Sequence, residues 1–164
     1  MPKRRATLVV AGLTLGCSLT PAAPAGATPQ QDRIERSVLD RINTIRAQSG
    51  VRRLRRSYGL AIAADQKARE VAGTDRLAHS SPDGTAMGLR VRRYVRARAI
   101  GETLGLVPQS ASQAATIVSS WMASPGHRAA LLSPRFRRAG LSRRSAVVDA
   151  DRVAVFALDL ASAR

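Results

Sequence analysis

The chain has 164 residues, of which 27 are lysine or arginine and 11 are aspartate or glutamate, so its formal net charge is +16. This length is enough for one domain with a sizeable hydrophobic core. Aromatic residues make up only 3% of the chain, which argues against a surface that stacks on bases and against nucleic acid as a partner.

The N-terminus has the three parts of a secretory signal. Residues 3–5 are basic, residues 6–16 form an apolar run, and Ala25-Gly26-Ala27 offers small residues for cleavage. The apolar run is too short to cross a membrane, and we expect no transmembrane segment. We therefore predict a signal peptide at 1–27, a single domain at 28–164 and a secreted, extracellular protein.

The alternative interpretation is a lipoprotein signal, in which Cys17 would carry the lipid. Thr14 and Leu15 do not match the usual order before such a cysteine, so cleavage after Ala27 is preferred. Cleavage at that site would remove the only cysteine, and the stability of the domain would then come from packing rather than from disulfides.

The first predicted helix covers residues 32–48. Its apolar residues recur at spacings of four, four and three between Ile34 and Ile45, as expected for one buried helical face. Asp32 is the expected N-cap, and Gly50 follows the C-terminal end.

A second helix is predicted over 58–77, where a stripe of small residues (Leu60, Ala64, Ala68 and Ala72) permits close approach by another element. Turn-forming residues follow at 79–84, and a shorter helix is predicted at 86–93. Residues 99–102 are expected to form a strand or an extended loop.

In the last third of the chain the sequence pattern predicts two more helices and a hairpin. The fourth helix, over 111–123, contains Trp121, the only tryptophan, which we expect to be a buried anchor. Ser-Pro-Gly then precedes a short helix at 129–132, and two β-branched runs around Asp149 to Asp151 predict an antiparallel hairpin. Helices followed by a small antiparallel sheet indicate an α+β domain.

Candidate chemistry is confined to three residues in or near loops. His79, Glu102 and His127 could together bind a divalent metal or act as acid and base. Nothing in their spacing shows that they meet, and two loop histidines taken alone are more often surface or turn residues.

The basic residues lie mainly in three stretches, 52–56, 90–98 and 135–144. Such a surface could adhere to polyanions, namely wall polymers or anionic lipids. The simpler interpretation is that an Ala- and Arg-rich composition leaves solvated arginine faces without a specific partner, and we prefer it here.

Ordered motifs from residue 38 to residue 160 resemble the bacterial branch of the CAP domain family, also called the SCP domain, whose relatives include plant pathogenesis-related and cysteine-rich secretory proteins. The motifs are L-x-x-x-N-x-x-R-x-x-x-G from Leu39 to Gly50, His79-Ser80 with Pro-Asp-Gly after it, Gly101-Glu102, and Trp121 to Arg128 followed by Leu131-Leu132 and Gly140. The resemblance implies an α-β-α sandwich, with a small antiparallel sheet between helical layers.

The resemblance also implies a cleft in which His79 and His127 hold a divalent cation such as zinc and Glu102 supplies a catalytic carboxylate. Ser80, Thr103 and Ser124 would line this cleft. Thr103 stands where the family has Asn after the Gly-Glu pair, and Ser124 stands where many eukaryotic members carry a second acid.

Two functions remain open for such a protein. The first is a secreted binding module, in which the cleft or an apolar groove holds a lipid, a sterol or an anionic cell-envelope component. The second is a metal-assisted hydrolase that uses His79, His127 and Glu102. We prefer the binding module, because the acidic set of the cleft is incomplete. The sequence indicates no oligomeric state.

Overall fold

A computed structural model of the protein describes residues 29–74 and 76–163, so the predicted signal peptide and Cys17 lie outside the described residues. The helices are α1 Pro29–Gln48, α2 Tyr58–Thr74, α3 Met87–Arg92, α4 Gln113–Ala123 and α5 Pro125–Leu132; the strands are β1 Arg55–Arg56, β2 Ile100–Pro108, β3 Arg138–Val148 and β4 Asp151–Ala161. None of the described helices is long and apolar enough to cross a membrane.

The four strands form one sheet in the order β1-β3-β4-β2, in which only the β1–β3 pair is parallel. The predicted hairpin is confirmed as β3–β4. Its two turn residues, Asp149 and Ala150, have φ values of 49° and 70°, and two consecutive left-handed residues form the tight turn that matches strand twist. Since β2 pairs only with β4, β2 is an edge strand.

Alternate residues of β4 face the two helical layers. Phe156, Leu158 and Leu160 pack with α1, α4 and α5, whereas Val155 and Ala157 pack with α2. The sheet therefore lies between two layers of helices, and the predicted α-β-α sandwich is confirmed.

Helices α3, α4 and α5 begin at residues 87, 113 and 125, where residues 86, 111 and 129 were predicted. The start of α5 differs most, because proline is favoured in the first turn of a helix and Pro125 begins it.

The boundaries of three other elements also differ from the predicted ones. Helix α1 begins at Pro29, so Asp32 lies in its first turn, where a carboxylate favours the helix dipole, and is not the N-cap. Helix α2 ends at Thr74, earlier than predicted. The segment predicted as strand or extended loop at 99–102 contains the start of β2, which continues to Pro108.

Helix α2 packs against β3 at very short range, as its stripe of small residues predicts. A Cβ atom on Gly140 would lie 2.1 Å from both the Leu60 carbonyl carbon and the Ala61 nitrogen. Because both are backbone atoms, they could not move aside without displacing the helix. Gly140 therefore fixes how closely α2 approaches the sheet.

The basic residues are not all solvated. Arg46 is fully buried and donates hydrogen bonds to the carbonyl oxygens of Arg52 at 2.9 Å, Ser133 at 3.2 Å and Phe136 at 3.1 Å, and to that of Leu131. One guanidinium thus satisfies backbone groups from two separate loops and joins them to α1.

Candidate functional site

Glu102 lies on the edge strand β2, on the sheet face covered by α2 and α3. Directly opposite residues of an antiparallel pair share one face, and the register places Glu102 opposite Asp159 of β4. Both carboxylates are buried. Two acids side by side in the interior require a cation or a proton to balance them.

Arg90 of α3 supplies that cation. Its side chain has 0% exposure, and one nitrogen, Nη2, forms an ion pair with Oε2 of Glu102. The other, Nη1, lies 3.3 Å from Oδ2 of Asp159 and donates to the Ala63 carbonyl oxygen at 2.6 Å. Arg90 was predicted to belong to a solvated arginine stretch, and that prediction is wrong because its guanidinium bridges two buried carboxylates.

One guanidinium cannot fully balance two buried carboxylates. Burial raises the pKa of Glu102 to about 7 and that of Asp159 to about 7, even though the charge of Arg90 acts in the opposite direction on both and that of Lys67 does so on Glu102. The two carboxyls interact and therefore titrate as a pair. Near neutral pH the pair exchanges a proton, which an isolated exposed carboxylate would not do.

His79 connects this buried pair to solvent. Its Nδ1 lies 2.7 Å from Oε1 of Glu102, while its side chain is 58% exposed. With Glu102 ionised, Nδ1–H donates to the carboxylate and Nε2 remains for a ligand in the cleft. The backbone beside it is fixed by Lys67, whose Nζ donates to the Ser80 carbonyl oxygen at 2.7 Å.

His127 is the third residue of α5 and is partly buried. Its pKa is lowered, first by burial and second by the charge of His79. The two imidazoles therefore lie close enough to interact electrostatically. The fold thus brings His79, Glu102 and His127 to the open edge of β2.

Three further residues expected at the cleft lie in different places. Ser80 is exposed next to His79. Thr103 is fully buried, and because residues alternate along a strand it lies on the opposite sheet face from Glu102; its Oγ1 has no hydrogen-bond partner among the described residues. Ser124 is the junction of α4 and α5, where its carbonyl oxygen accepts from the Arg128 amide at 2.8 Å.

Trp121 lies behind the cleft rather than in it. It is 1% exposed, packs edge-to-face on Phe156, and donates from Nε1 to the Leu104 carbonyl oxygen at 2.9 Å. This bond attaches α4 to β2, two residues beyond Glu102, so the indole links the helix that precedes His127 to the strand that carries the carboxylate.

A zinc site of three or four protein ligands does not fit the described residues. They contain no group of three or more His, Cys, Asp or Glu side chains that could hold a metal ion. Both oxygens of Glu102 are already engaged, Oε1 with His79 and Oε2 with Arg90. Two imidazoles remain as ligands, fewer than a catalytic zinc site uses.

A concave surface lies between α1 and α4, and neither histidine lines it. It is an open groove of about 1000 Å³, and its apolar side is formed by Ile45, Ala115, Val118 and Met122. Its α1 side carries polar and charged residues: Arg33, Arg36, Ser37, Asp40, Arg41 and Thr44. Three arginines and one aspartate give this rim a positive charge.

Sequence reasoning missed three members of the buried network: Lys67, Arg90 and Asp159. Asp159 has a signal, since it is the only charged residue in the apolar run from Val153 to Ala161. Arg90 has none, because a chain with so many arginines does not reveal which of them is buried. Lys67 has a signal, since it is the only lysine after the predicted signal peptide in a chain whose other basic residues are arginines.

The comparisons with known proteins agree with this architecture. A sequence model described as CAP, the cysteine-rich secretory protein family, matches residues 39–154. No curated protein is similar in sequence to this chain.

Solved bacterial structures share the fold at low identity. An extracellular protein containing an SCP domain from Bacillus anthracis is 20% identical with a TM-score of 0.68, over 85% of this chain and 45% of that one. An outer surface protein from Borrelia burgdorferi is 18% identical with a TM-score of 0.70, over 82% and 96%. A cysteine-rich secretory protein from Staphylococcus aureus is 19% identical with a TM-score of 0.62, over 84% and 40%. The chain thus spans less than half of the Bacillus and Staphylococcus proteins.

Proposed function

This chain belongs to the CAP family, and from that premise we propose that it is a secreted binding module that holds an anionic amphiphile, a lipid with an acidic headgroup, in the groove between α1 and α4. The single observation that carries the proposal is the division of this groove into an apolar side and an arginine-lined rim. The matched bacterial structures include an extracellular protein, which agrees with an envelope ligand.

The apolar side of the groove would supply most of the affinity. Ile45, Ala115 and Met122 are only partly buried, so an acyl chain laid along them would remove apolar surface of both partners from water. Each buried methylene contributes about 0.8 kcal/mol. A groove of about 1000 Å³ is at the upper end of the range for small-ligand sites, which suits a chain-like ligand.

The rim would select the headgroup. Arg33, Arg36 and Arg41 are exposed, and a guanidinium offers two parallel donors to a carboxylate or phosphate. Exposed charge pairs contribute little affinity in water, so the rim would act mainly through selectivity and through the rate of association. A neutral sterol would then bind more weakly than a fatty acid of similar apolar area.

The experiment is a titration of the purified protein with oleate and with a neutral sterol, read by displacement of a fluorescent fatty acid. Ala115→Glu places a carboxylate in the apolar side of the groove and should weaken oleate binding at least tenfold. Ser120→Glu is the matched control, because Ser120 is exposed on the same helix and does not line the groove. Equal binding by both variants would overturn the proposal.

A second candidate function is hydrolysis by acid–base chemistry at the cleft, and one observation favours it. The 2.7 Å contact between Nδ1 of His79 and Oε1 of Glu102 fixes the imidazole with Nε2 outward, where it could accept a proton from water. The raised pKa of Glu102, about 7, makes the carboxyl able to exchange a proton near neutral pH.

The hydrolase candidate has its own test. Turnover of peptide and cell-wall substrates should disappear in Glu102→Gln while circular dichroism shows that the variant is still folded, since Asp159 continues to pair with Arg90. This candidate uses no metal, so turnover should persist after treatment with a chelator, in keeping with a cleft whose described residues offer only two imidazoles as ligands. Absence of turnover in the parent protein on both substrate classes would refute this candidate and leave lipid binding untouched.

A further inference from the structure

Two arginine-lined cavities lie on the part of the molecule where α2 begins and the C-terminal strand ends. One, of about 500 Å³, is lined by five arginines and Ala163; the arginines are Arg52, Arg53, Arg55, Arg137 and Arg138. The other, of about 790 Å³, is lined by Tyr58, Tyr94, Arg96, Arg98, Arg138 and neighbouring backbone. Arg138 lines both cavities, so the two are adjacent; together they are named here the Arg–Tyr track.

The residues that line this track carry positive charge that no acidic residue of the lining balances. The described lining of both cavities contains seven different arginines and no carboxylate. These arginines come from the connector before α2, the loop after α3 and the start of β3, so the fold itself gathers them. Like charges gathered in this way repel one another, and a bound polyanion would relieve that repulsion.

The track also holds both tyrosines of a chain that is poor in aromatic residues. Tyr58 is 84% exposed, which leaves its ring face open to a ligand. Tyr94 lines the same cavity close to the start of α2, and its hydroxyl donates to Oε1 of Gln66 at 3.1 Å. Gly59 permits this proximity, since a Cβ there would lie 2.6 Å from the Tyr94 carbonyl oxygen.

Arg138 is fixed in the middle of the track. Its Nε donates to the Ser162 carbonyl oxygen at 3.0 Å and its Nη2 to the Arg96 carbonyl oxygen at 2.7 Å. A guanidinium held by backbone acceptors loses little freedom when a ligand binds its remaining donors. The shared wall of the two cavities is therefore preorganised for an anionic group.

We propose that the Arg–Tyr track binds an acidic polysaccharide, with sugar rings against Tyr58 and Tyr94 and the anionic groups of successive sugars on the arginines. A sugar ring presents an apolar face that packs on an aromatic side chain, and carboxylate or phosphate substituents match the guanidinium fork. This site is separate from the groove between α1 and α4 and does not depend on it.

The test measures binding of the purified protein to oligogalacturonate at several salt concentrations. Polyglutamate serves as a polyanion without sugar rings, maltodextrin as a glycan without charge, and oligodeoxythymidylate as a nucleic acid. We expect oligogalacturonate to bind best, with an affinity that falls as salt rises. Maltodextrin should not bind measurably.

Two sets of variants separate the contributions of rings and charges. Tyr58→Ala should weaken oligogalacturonate about threefold to tenfold and leave polyglutamate unchanged, given the usual contribution of an aromatic contact. The triple change Arg52→Gln, Arg53→Gln and Arg55→Gln should weaken both and flatten the salt dependence.

The control is a matched triple change on the groove rim: Arg33→Gln, Arg36→Gln and Arg41→Gln. It removes the same amount of positive charge from a different surface, so oligogalacturonate binding should stay within twofold of the parent. Equal loss in the two triple variants would show nonspecific attraction and overturn the proposal. If the protein binds oligodeoxythymidylate more tightly than oligogalacturonate, and Tyr58→Ala removes that preference, the polysaccharide proposal is overturned in favour of nucleic acid. Neither result would bear on oleate binding in the groove.

Discussion

Removal of the buried guanidinium should destabilise the protein strongly and in a pH-dependent way. In Arg90→Met, Glu102 and Asp159 would lose the cation between them, and the Ala63 carbonyl oxygen would lose its donor. Methionine keeps much of the volume of the arginine stem and is compatible with a helix. The change therefore tests the charge rather than the packing.

The magnitude follows from the burial of the three groups. Arg90 and both carboxylates have fully buried side chains, and removal of one partner of a buried ion pair costs about 3 to 5 kcal/mol. Whole domains are stable by only about 5 to 15 kcal/mol, so Arg90→Met should lie near the limit of folding at about pH 8.

The loss should shrink as the pH falls. In the parent protein the pKa values of Glu102 and Asp159 are already raised to about 7 from ordinary values of 4.5 and 3.8. Without Arg90 they should rise further, so the folded state binds more protons than the unfolded state and the free energy of unfolding increases on acidification. At about pH 5 both carboxyls are protonated in the variant and most of the loss should be recovered.

The assay is urea unfolding followed by circular dichroism at about pH 8 and about pH 5, with linear extrapolation to water. Arg92→Met on the same helix is the control, because Arg92 is exposed. A loss below about 1 kcal/mol at the higher pH, or a loss of equal size at both pH values, would refute the charge-balance argument.

Three further predictions concern packing and titration. Gly140→Ala should destabilise the domain by about 3 kcal/mol or more, since the new Cβ would lie 2.1 Å from the α2 backbone, whereas Gly126→Ala, with nothing within 4 Å, should lower the thermal midpoint little. Trp121→Phe loses the hydrogen bond to β2 and should cost about 1 to 3 kcal/mol by denaturant unfolding; a neutral effect would mean that the bond does not attach α4. His79→Ala should raise the pKa of His127 toward its ordinary 6.5 in an imidazole NMR titration, and an unchanged value would show that the two rings do not interact.

The sandwich could be predicted because its signals are local. The apolar spacing of α1 and the β-branched runs of β3 and β4 each depend on near neighbours, and Gly140 marks the close approach of α2. Element ends were less predictable. Strand β3 begins at Arg138, well before the β-branched pair at 147–148, and its polar residues 142–145 do not indicate a strand. Pairing with β1 and β4 determines where β3 begins.

The site was less predictable because its partners come from distant segments. His79 and Glu102 could be proposed as neighbours only through motif resemblance. Arg90 and Asp159 are 69 residues apart, and no pattern connects them. Thr103 illustrates the reverse error: it follows Glu102 directly, yet the alternation of a strand turns it to the opposite face.

The same limit applies to the basic surface. The sequence shows three arginine-rich stretches, and arginines in such stretches are expected to lie on the surface in contact with solvent. Only the fold shows that Arg46 and Arg90 are interior and that others converge in the Arg–Tyr track. Clustering of charge is a property of tertiary structure, so linear spacing could not reveal it.

The most direct test of the proposed binding function is an NMR titration of the isotope-labelled protein with oleate. We expect saturable shifts of the methyl signals of Ile45, Val118 and Met122, with smaller shifts at Arg33 and Arg36 on the rim. No saturable shifts at the groove, or shifts confined to another part of the protein, would contradict it.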